Sequence, residues 1–195
     1  MFLLVGLGNP GKTYANNRHN IGFMILESLK KFYNTPKFIK KFKSEYLKTN
    51  INENIVFLLK PMTYMNDSGI AVKEIKDFYN ISINNIIVFH DEIDLSLGDV
   101  RIKKGGSHNG HNGLKSIDQF IGKNYNRVRI GVSRPSKLYE KNINENVSNW
   151  VLSDFSLEDK TIWLNSLIDN MSENISLLIN NDTNNFLKKI KQIEF

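Results

Sequence analysis

Three short, unbroken apolar runs constrain this chain most: FLLV at the start, IVFLL at residues 55–59 and IIVF at residues 86–89. Apolar stretches without polar alternation suit strands covered on both faces, the setting of a parallel or mixed sheet between helices. Each is far shorter than the roughly 20 residues a membrane helix needs. Between them, Ile21, Ile25, Leu29 and Phe32, with Met24 and Leu26 alongside, keep helical spacing up to Asn34–Pro36. Strands are predicted at Ser44–Ile51 and Asn54–Lys60 around an Asn-Glu-Asn turn, then at Ile86–His90, Val100–Lys103 and Arg127–Val132. Helices are predicted at Gly69–Tyr79 and Leu114–Ile121, and the chain beyond about Asn146 is mostly helical, with an apolar stripe of Ile162, Leu167, Ile168, Met171, Ile175 and Leu178. This order predicts a single α/β domain over residues 1–195, a twisted mixed β-sheet with helices on both faces.

Charge and cysteine content narrow the chemistry. The net charge of +6 and a pI near 9.3 favour a polyanionic partner, although a lysine surplus also serves solubility. The absence of cysteine excludes disulfides, thiolate catalysis and cysteine-based zinc sites, and fits a reducing cytosol. The first apolar run has no basic leader and passes straight into glycines, so it reads as a buried strand rather than a signal peptide.

The segment GLGNPGKT after that run fits both the GxGxxG and the GxxxxGKT nucleotide-binding patterns. A P-loop needs its helix to begin at the GKT, because the amides of a helix N-terminus hold the phosphates. Here Lys12–Asn20 is polar and asparagine-rich, helical periodicity starts only at Ile21, and Pro10 removes a donor. A dinucleotide fold needs an acidic residue at the end of a second strand about 20 positions on, whereas Glu27 lies inside a predicted helix. Neither pattern has its structural context.

Four polar groups stand where strands end: Asn9, Arg18-His19-Asn20, Asp91-Glu92 and His111-Asn112. In α/β sheets such ends converge on one crevice. If His19 meets Asp91 there, the carboxylate fixes the imidazole tautomer and the other nitrogen takes a proton from water. Asn9, Asn66 or Asn112 then supply neutral donors to an oxyanion. The same residues read equally as local structure: Asn9 and Asn112 as turn residues, His19 as a loop histidine, Asp91 as a cap, and Asn66, Asp67 and Ser68 as caps of the following helix. A metal site drawn from His90, His108, His111 and Asp91 has no familiar ligand spacing.

GLGNPGKTYANNRHNIGF, KPMTYMNDSG, HDEIDLSLG, KGGSHNGHNGLKSI, RIGVSRP and VSNWVLSDF, in this order, resemble the bacterial-type peptidyl-tRNA hydrolases over nearly the whole chain. The resemblance implies a monomeric, cytoplasmic α/β enzyme that cleaves the ester between a peptide and the terminal ribose of tRNA, without metal, cofactor, membrane or obligate protein partner. By the same resemblance His19 is the catalytic base, Asp91 its support, and Asn112 the residue assigned to water and transition state. Asn9 and Asn66 hold the peptide, Tyr14, Met65 and His111 line its groove, and Lys103 and Arg129 clamp a tRNA phosphate. It also implies a lid at about 136–149 and C-terminal helices over about 157–193. The cluster KFIKKFK (Lys37, Lys40, Lys41, Lys43) reads equally as a tRNA contact or a solvated face.

The chain departs from the family's usual pattern at Asn109, where Gly is common, at Ser96 and Leu97, near a common Pro, and at Trp150, where Tyr is common. Asn tolerates the left-handed conformation, so the glycine-rich loop is expected to keep its shape. The rival readings are an RNA-binding protein on the same fold that has lost hydrolysis, and a P-loop NTPase dependent on Lys12.

Overall fold

In the computed structural model, which describes residues 1–134 and 143–192, the apolar runs lie at the centre of one seven-stranded sheet. The strands are β1 (Phe2–Gly6), β2 (Ile39–Lys41), β3 (Ser44–Ile51), β4 (Asn54–Pro61), β5 (Ile86–Glu92), β6 (Val100–Lys104) and β7 (Asn126–Gly131), in the spatial order β2-β3-β4-β1-β5-β7-β6. The inner four, β4, β1, β5 and β7, are parallel, and β2, β3 and β6 add antiparallel margins. The helices are α1 (Ile21–Phe32), α2 (Ser68–Phe78), α3 (Asn112–Ile121), α4 (Ile143–Val151), the short α5 (Leu157–Asp159), α6 (Asn165–Ile179) and α7 (Thr183–Lys191).

Strand geometry sends alternate side chains to opposite faces, which explains why the runs are apolar throughout. Phe2, Leu4, Leu58 and Phe89 pack with α1, α6 and α7, whereas Leu3, Val5, Phe57, Leu59 and Val88 pack with α2 and α3. A single such side chain left in water would forgo roughly 1.5–3 kcal/mol. Both layers are therefore held by the same short segments.

Most elements match the sequence pattern to within about two residues. Two do not. Strand β2 lies inside KFIKKFK, where charge hides the strand signal; all three of its residues are exposed, and a turn with Phe42 and Lys43 both at positive φ (54° and 48°) joins it to β3. Ile162, expected in the buried stripe, is 50% exposed. Lys160–Leu164 form a π-helical turn, which shifts the helical register and gives the buried place to Leu164.

The GLGNPGKT segment leads into two separate 3₁₀ turns, Lys12–Tyr14 and Arg18–Asn20, before α1 begins at Ile21. No α-helix starts at the GKT. Of its glycines, Gly11 alone has a positive φ (111°). Gly6 and Gly8 serve close packing instead: a Cβ on Gly6 would collide with the carbonyl of Gly22 in α1, and one on Gly8 would lie 2.7 Å from the Phe23 ring. Among the described residues no helix is long and apolar enough to cross a membrane.

Candidate active site

Parallel β1 and β5 are neighbours, so the loops leaving their C-terminal ends emerge side by side. Asn9 follows β1, Asp91 and Glu92 close β5, the segment after β4 contributes Tyr64, Met65 and Asn66, and the start of α3 brings His111 and Asn112. Together with His19, the loop 108–110 and the α4 residues Val147, Ser148 and Val151, they line a groove of about 830 Å³. Seven of the ten site residues that the resemblance implies thus share one cavity: Asn9, His19, Met65, Asn66, Asp91, His111 and Asn112.

Asp91 is the electrostatic centre. One oxygen, Oδ1, lies 2.8 Å from His19 Nδ1 and 3.1 Å from His111 Nε2. A carboxylate only accepts hydrogen bonds, so both ring nitrogens carry protons. His111 Nδ1 in turn accepts from the amides of Gly113 and Leu114 at 3.2 and 3.3 Å and caps α3. Its tautomer is thereby fixed as the neutral Nε2–H form. His19 is left with a bare Nε2 towards the groove. Burial pushes the Asp91 carboxyl up, but electrostatic attraction and hydrogen bonds from the two ring N–H groups outweigh it and hold Asp91 well below the ordinary carboxylate range.

Behind this layer, His90 is buried, gives Nδ1–H to the carbonyl of Asp91 at 2.7 Å, and packs edge-on to His111 at 5.0 Å. Its burial, reinforced by neighbouring His111, lowers its pKa to about 3. It is a neutral ring and stands outside the metal sketch. The side chains that do gather are His19, Asp91 and His111, with one ligand atom each within 4.8 Å of one another, but the nitrogens facing Asp91 are committed to its Oδ1.

Asn9 is held on both sides. Its main-chain N–H donates to Asn20 Oδ1 and its carbonyl accepts from Asn20 Nδ2, both at 2.9 Å, while its Oδ1 accepts from Met65 N–H at 2.8 Å. The edge it presents to the groove is therefore Nδ2, a donor. Tyr64, just before Met65, has φ 57° and ψ 164°, a conformation costly outside glycine, and such strain collects at functional sites. The capping reading of Asn66–Ser68 does not hold: Asp67 occupies the N-cap position of α2 without a side-chain cap, Ser68 Oγ bonds back to the Met65 carbonyl at 2.9 Å, and Asn66 is exposed at the groove. Asn20 was named in the sequence only as part of Arg18-His19-Asn20, and its bracing role went unread, since a second buried asparagine beside a histidine carries no spacing signal.

Three expectations fall elsewhere. Tyr14 does not line the groove but packs edge-on against Tyr64, which does, with centroids 6.5 Å apart. Lys103 is exposed on β6; Arg129 on β7 gives Nε–H and Nη2–H to Glu92 Oε2 at 3.0 and 2.9 Å. The two lie outside the groove and point to one sheet face, because Arg101 pairs with Arg129 and Lys103 is two residues further along. The KFIKKFK hairpin lies at the opposite margin of the sheet. Of the expected lid at about 136–149, residues 136–142 lie outside the described residues and α4 forms the rest. Asn109 adopts φ 47°, the left-handed conformation anticipated for it.

A sequence model of the family described as Peptidyl-tRNA hydrolase matches residues 3–195. The peptidyl-tRNA hydrolase of Bartonella bacilliformis is 44% identical over 190 residues, covering 97% of this chain and 95% of the relative; that of Rickettsia bellii is 44% identical over 191 residues, covering 97% and 100%. The crystal structure of peptidyl-tRNA hydrolase from Acinetobacter baumannii superposes with a TM-score of 0.89 at 37% identity, covering all of this chain and 96% of that one. By sequence and by fold alike, the chain belongs to the peptidyl-tRNA hydrolase family.

Proposed function

We propose that this groove hydrolyses the ester joining a peptide to the terminal ribose of tRNA, with His19 as general base on water. The observation that carries the reading is the 2.8 Å contact of His19 Nδ1 with buried Asp91, which turns Nε2 towards a groove rimmed by Asn9, Asn66 and Asn112. Nε2 takes a proton from water, whose oxygen bonds to the ester carbonyl carbon. The negative charge gathering on the carbonyl oxygen is met by amide donors from Asn112 and its neighbours, which need no reorganisation. As the carbon–oxygen bond to ribose breaks, the imidazolium returns its proton to the departing hydroxyl. Asp91 stabilises the imidazolium between these steps.

Asn9 Nδ2 and Asn66 hold the peptide beside the scissile ester, Met65 and His111 shape the groove wall, Tyr14 supports that wall from behind Tyr64, and Lys103 with Arg129 binds tRNA phosphate. The enzyme works as a cytoplasmic monomer and draws on no metal or cofactor.

Incubation with an N-acetyl-aminoacyl-tRNA in the presence of EDTA tests this. Release of free tRNA should vanish in His19→Ala and persist in Lys12→Ala. Tight tRNA binding by the native protein without cleavage would establish the RNA-binding reading instead.

A further inference from the structure

Arg18, adjacent to His19, is buried and does not line the groove. Its guanidinium is engaged from several directions. Nη1 donates to the carbonyl of Ser153 at 3.3 Å, to Ser153 Oγ at 2.8 Å and to the carbonyl of Asp154 at 2.7 Å, and Nη2 donates to Asp159 Oδ2 at 3.2 Å. The cation lies 3.8 Å from the centre of the Trp150 ring and 5.3 Å from that of Phe155. Main-chain bonds run alongside: Arg18 N–H to the Ser153 carbonyl at 3.1 Å and Phe155 N–H to the Asn16 carbonyl at 2.9 Å, with Asn17 bridged to Asp154. The loop that ends in His19 and the segment leaving α4 form one antiparallel clasp.

The far side of that clasp faces substrate. Val147, Ser148, Val151 and Leu152 line the groove, so α4 and its C-terminal exit are part of its roof. Trp150 also gives its indole N–H to the carbonyls of Val132 and Ser133 at 3.2 and 2.8 Å, anchoring the roof to the end of β7. A tyrosine, common at this position in the family pattern, has no such N–H. Burying a guanidinium is costly, and an apolar side chain would fill the space; what a planar fork adds is direction, with donors and a stacked ring fixing several partners at once.

We propose that Arg18 is a positioning residue for the hydrolysis: it joins the roof helix α4 to the His19 loop, so that the roof over the peptide and the base move as one body. This rests on the reading of His19 as the base. A misplacement of about 1 Å at a reacting group costs on the order of 10²-fold in rate.

The test measures kcat and KM for an N-acetyl-aminoacyl-tRNA with EDTA present, at a temperature where circular dichroism shows every variant folded. Arg18→Met should lower kcat/KM by on the order of 10²-fold, divided between a raised KM and a reduced kcat. Trp150→Leu should show the same pattern more weakly, and the double variant should be no worse than Arg18→Met. Leu178→Ala, a core change remote from the clasp, should lower Tm while leaving both constants native. Native constants in folded Arg18→Met, or losses that multiply in the double variant, would overturn the proposal. If Arg18→Met does not fold, Trp150→Leu decides alone, and native kcat and KM there refute it. His19→Ala, measured alongside, reports separately on the base assignment.

Discussion

Replacing Asp91 by asparagine removes one charge and almost no volume, and the structure sets how much that charge is worth. The carboxylate oxygen is 2.8 Å from His19 Nδ1, which puts the centres of carboxylate and imidazolium about 4 Å apart; at an effective dielectric constant near 20, the attraction is about 4 kcal/mol. At about 1.36 kcal/mol per factor of ten, a fully formed imidazolium loses about a thousandfold in rate, and a half-formed one about thirtyfold. Single-turnover release of tRNA from N-acetyl-aminoacyl-tRNA, at saturating enzyme and neutral pH, reads this loss as a change in the chemical step. The introduced amide also offers an N–H where two ring N–H groups point, so the lower figure is a floor. An Asp91→Asn protein that keeps more than about a tenth of the native single-turnover rate would refute the argument that this carboxylate supports a charging imidazole.

Other expected outcomes follow from the same contacts. Asn20→Ala strands the main-chain N–H and carbonyl of Asn9, so urea titration should show a loss of about 2–4 kcal/mol together with weakened hydrolysis; a loss below about 0.5 kcal/mol would contradict the locking role. His90 binds its proton only near pH 3 when folded but near 6.5 when unfolded, so its contribution to stability is full above about pH 6.5 and falls as pH drops towards 3. His90→Asn, which keeps a donor for the Asp91 carbonyl, should therefore gain on the native protein by up to about 1.4 kcal/mol per pH unit across that window in pH-dependent urea unfolding. Lys103→Ala should reduce the salt slope of tRNA binding by about one. Glu92→Gln, by releasing Arg129 from its ion pair, should strengthen binding, and unchanged affinity would argue against Arg129 as a phosphate ligand.

The sheet and its two helical layers were legible because unbroken apolar runs and a 3.6-residue period are local signals. The groove residues were legible only in part. Strand ends marked Asn9, Asp91 and His111 as neighbours, yet nothing in spacing distinguishes an asparagine that faces the groove from one, Asn20, that braces it. Strand β2 was masked because lysines on an exposed margin follow solvent rather than a core, and Ile162 was misplaced because a π-helical turn leaves no mark on an apolar stripe. The capping reading of Asn66–Ser68 failed for a related reason: side chains suited to a cap do not reveal that the preceding Tyr64 turns them away from the helix end.

His111 carries a consequence that reaches beyond its own ring. Because its Nδ1 lone pair is occupied by the first amides of α3, the ring ties Asp91 on one edge to the helix start that presents Asn112 on the other. Of the two rings on Asp91, one is tied to a helix start and one is not, and in the proposed hydrolysis proton traffic through the groove has a single lane, by way of His19 Nε2.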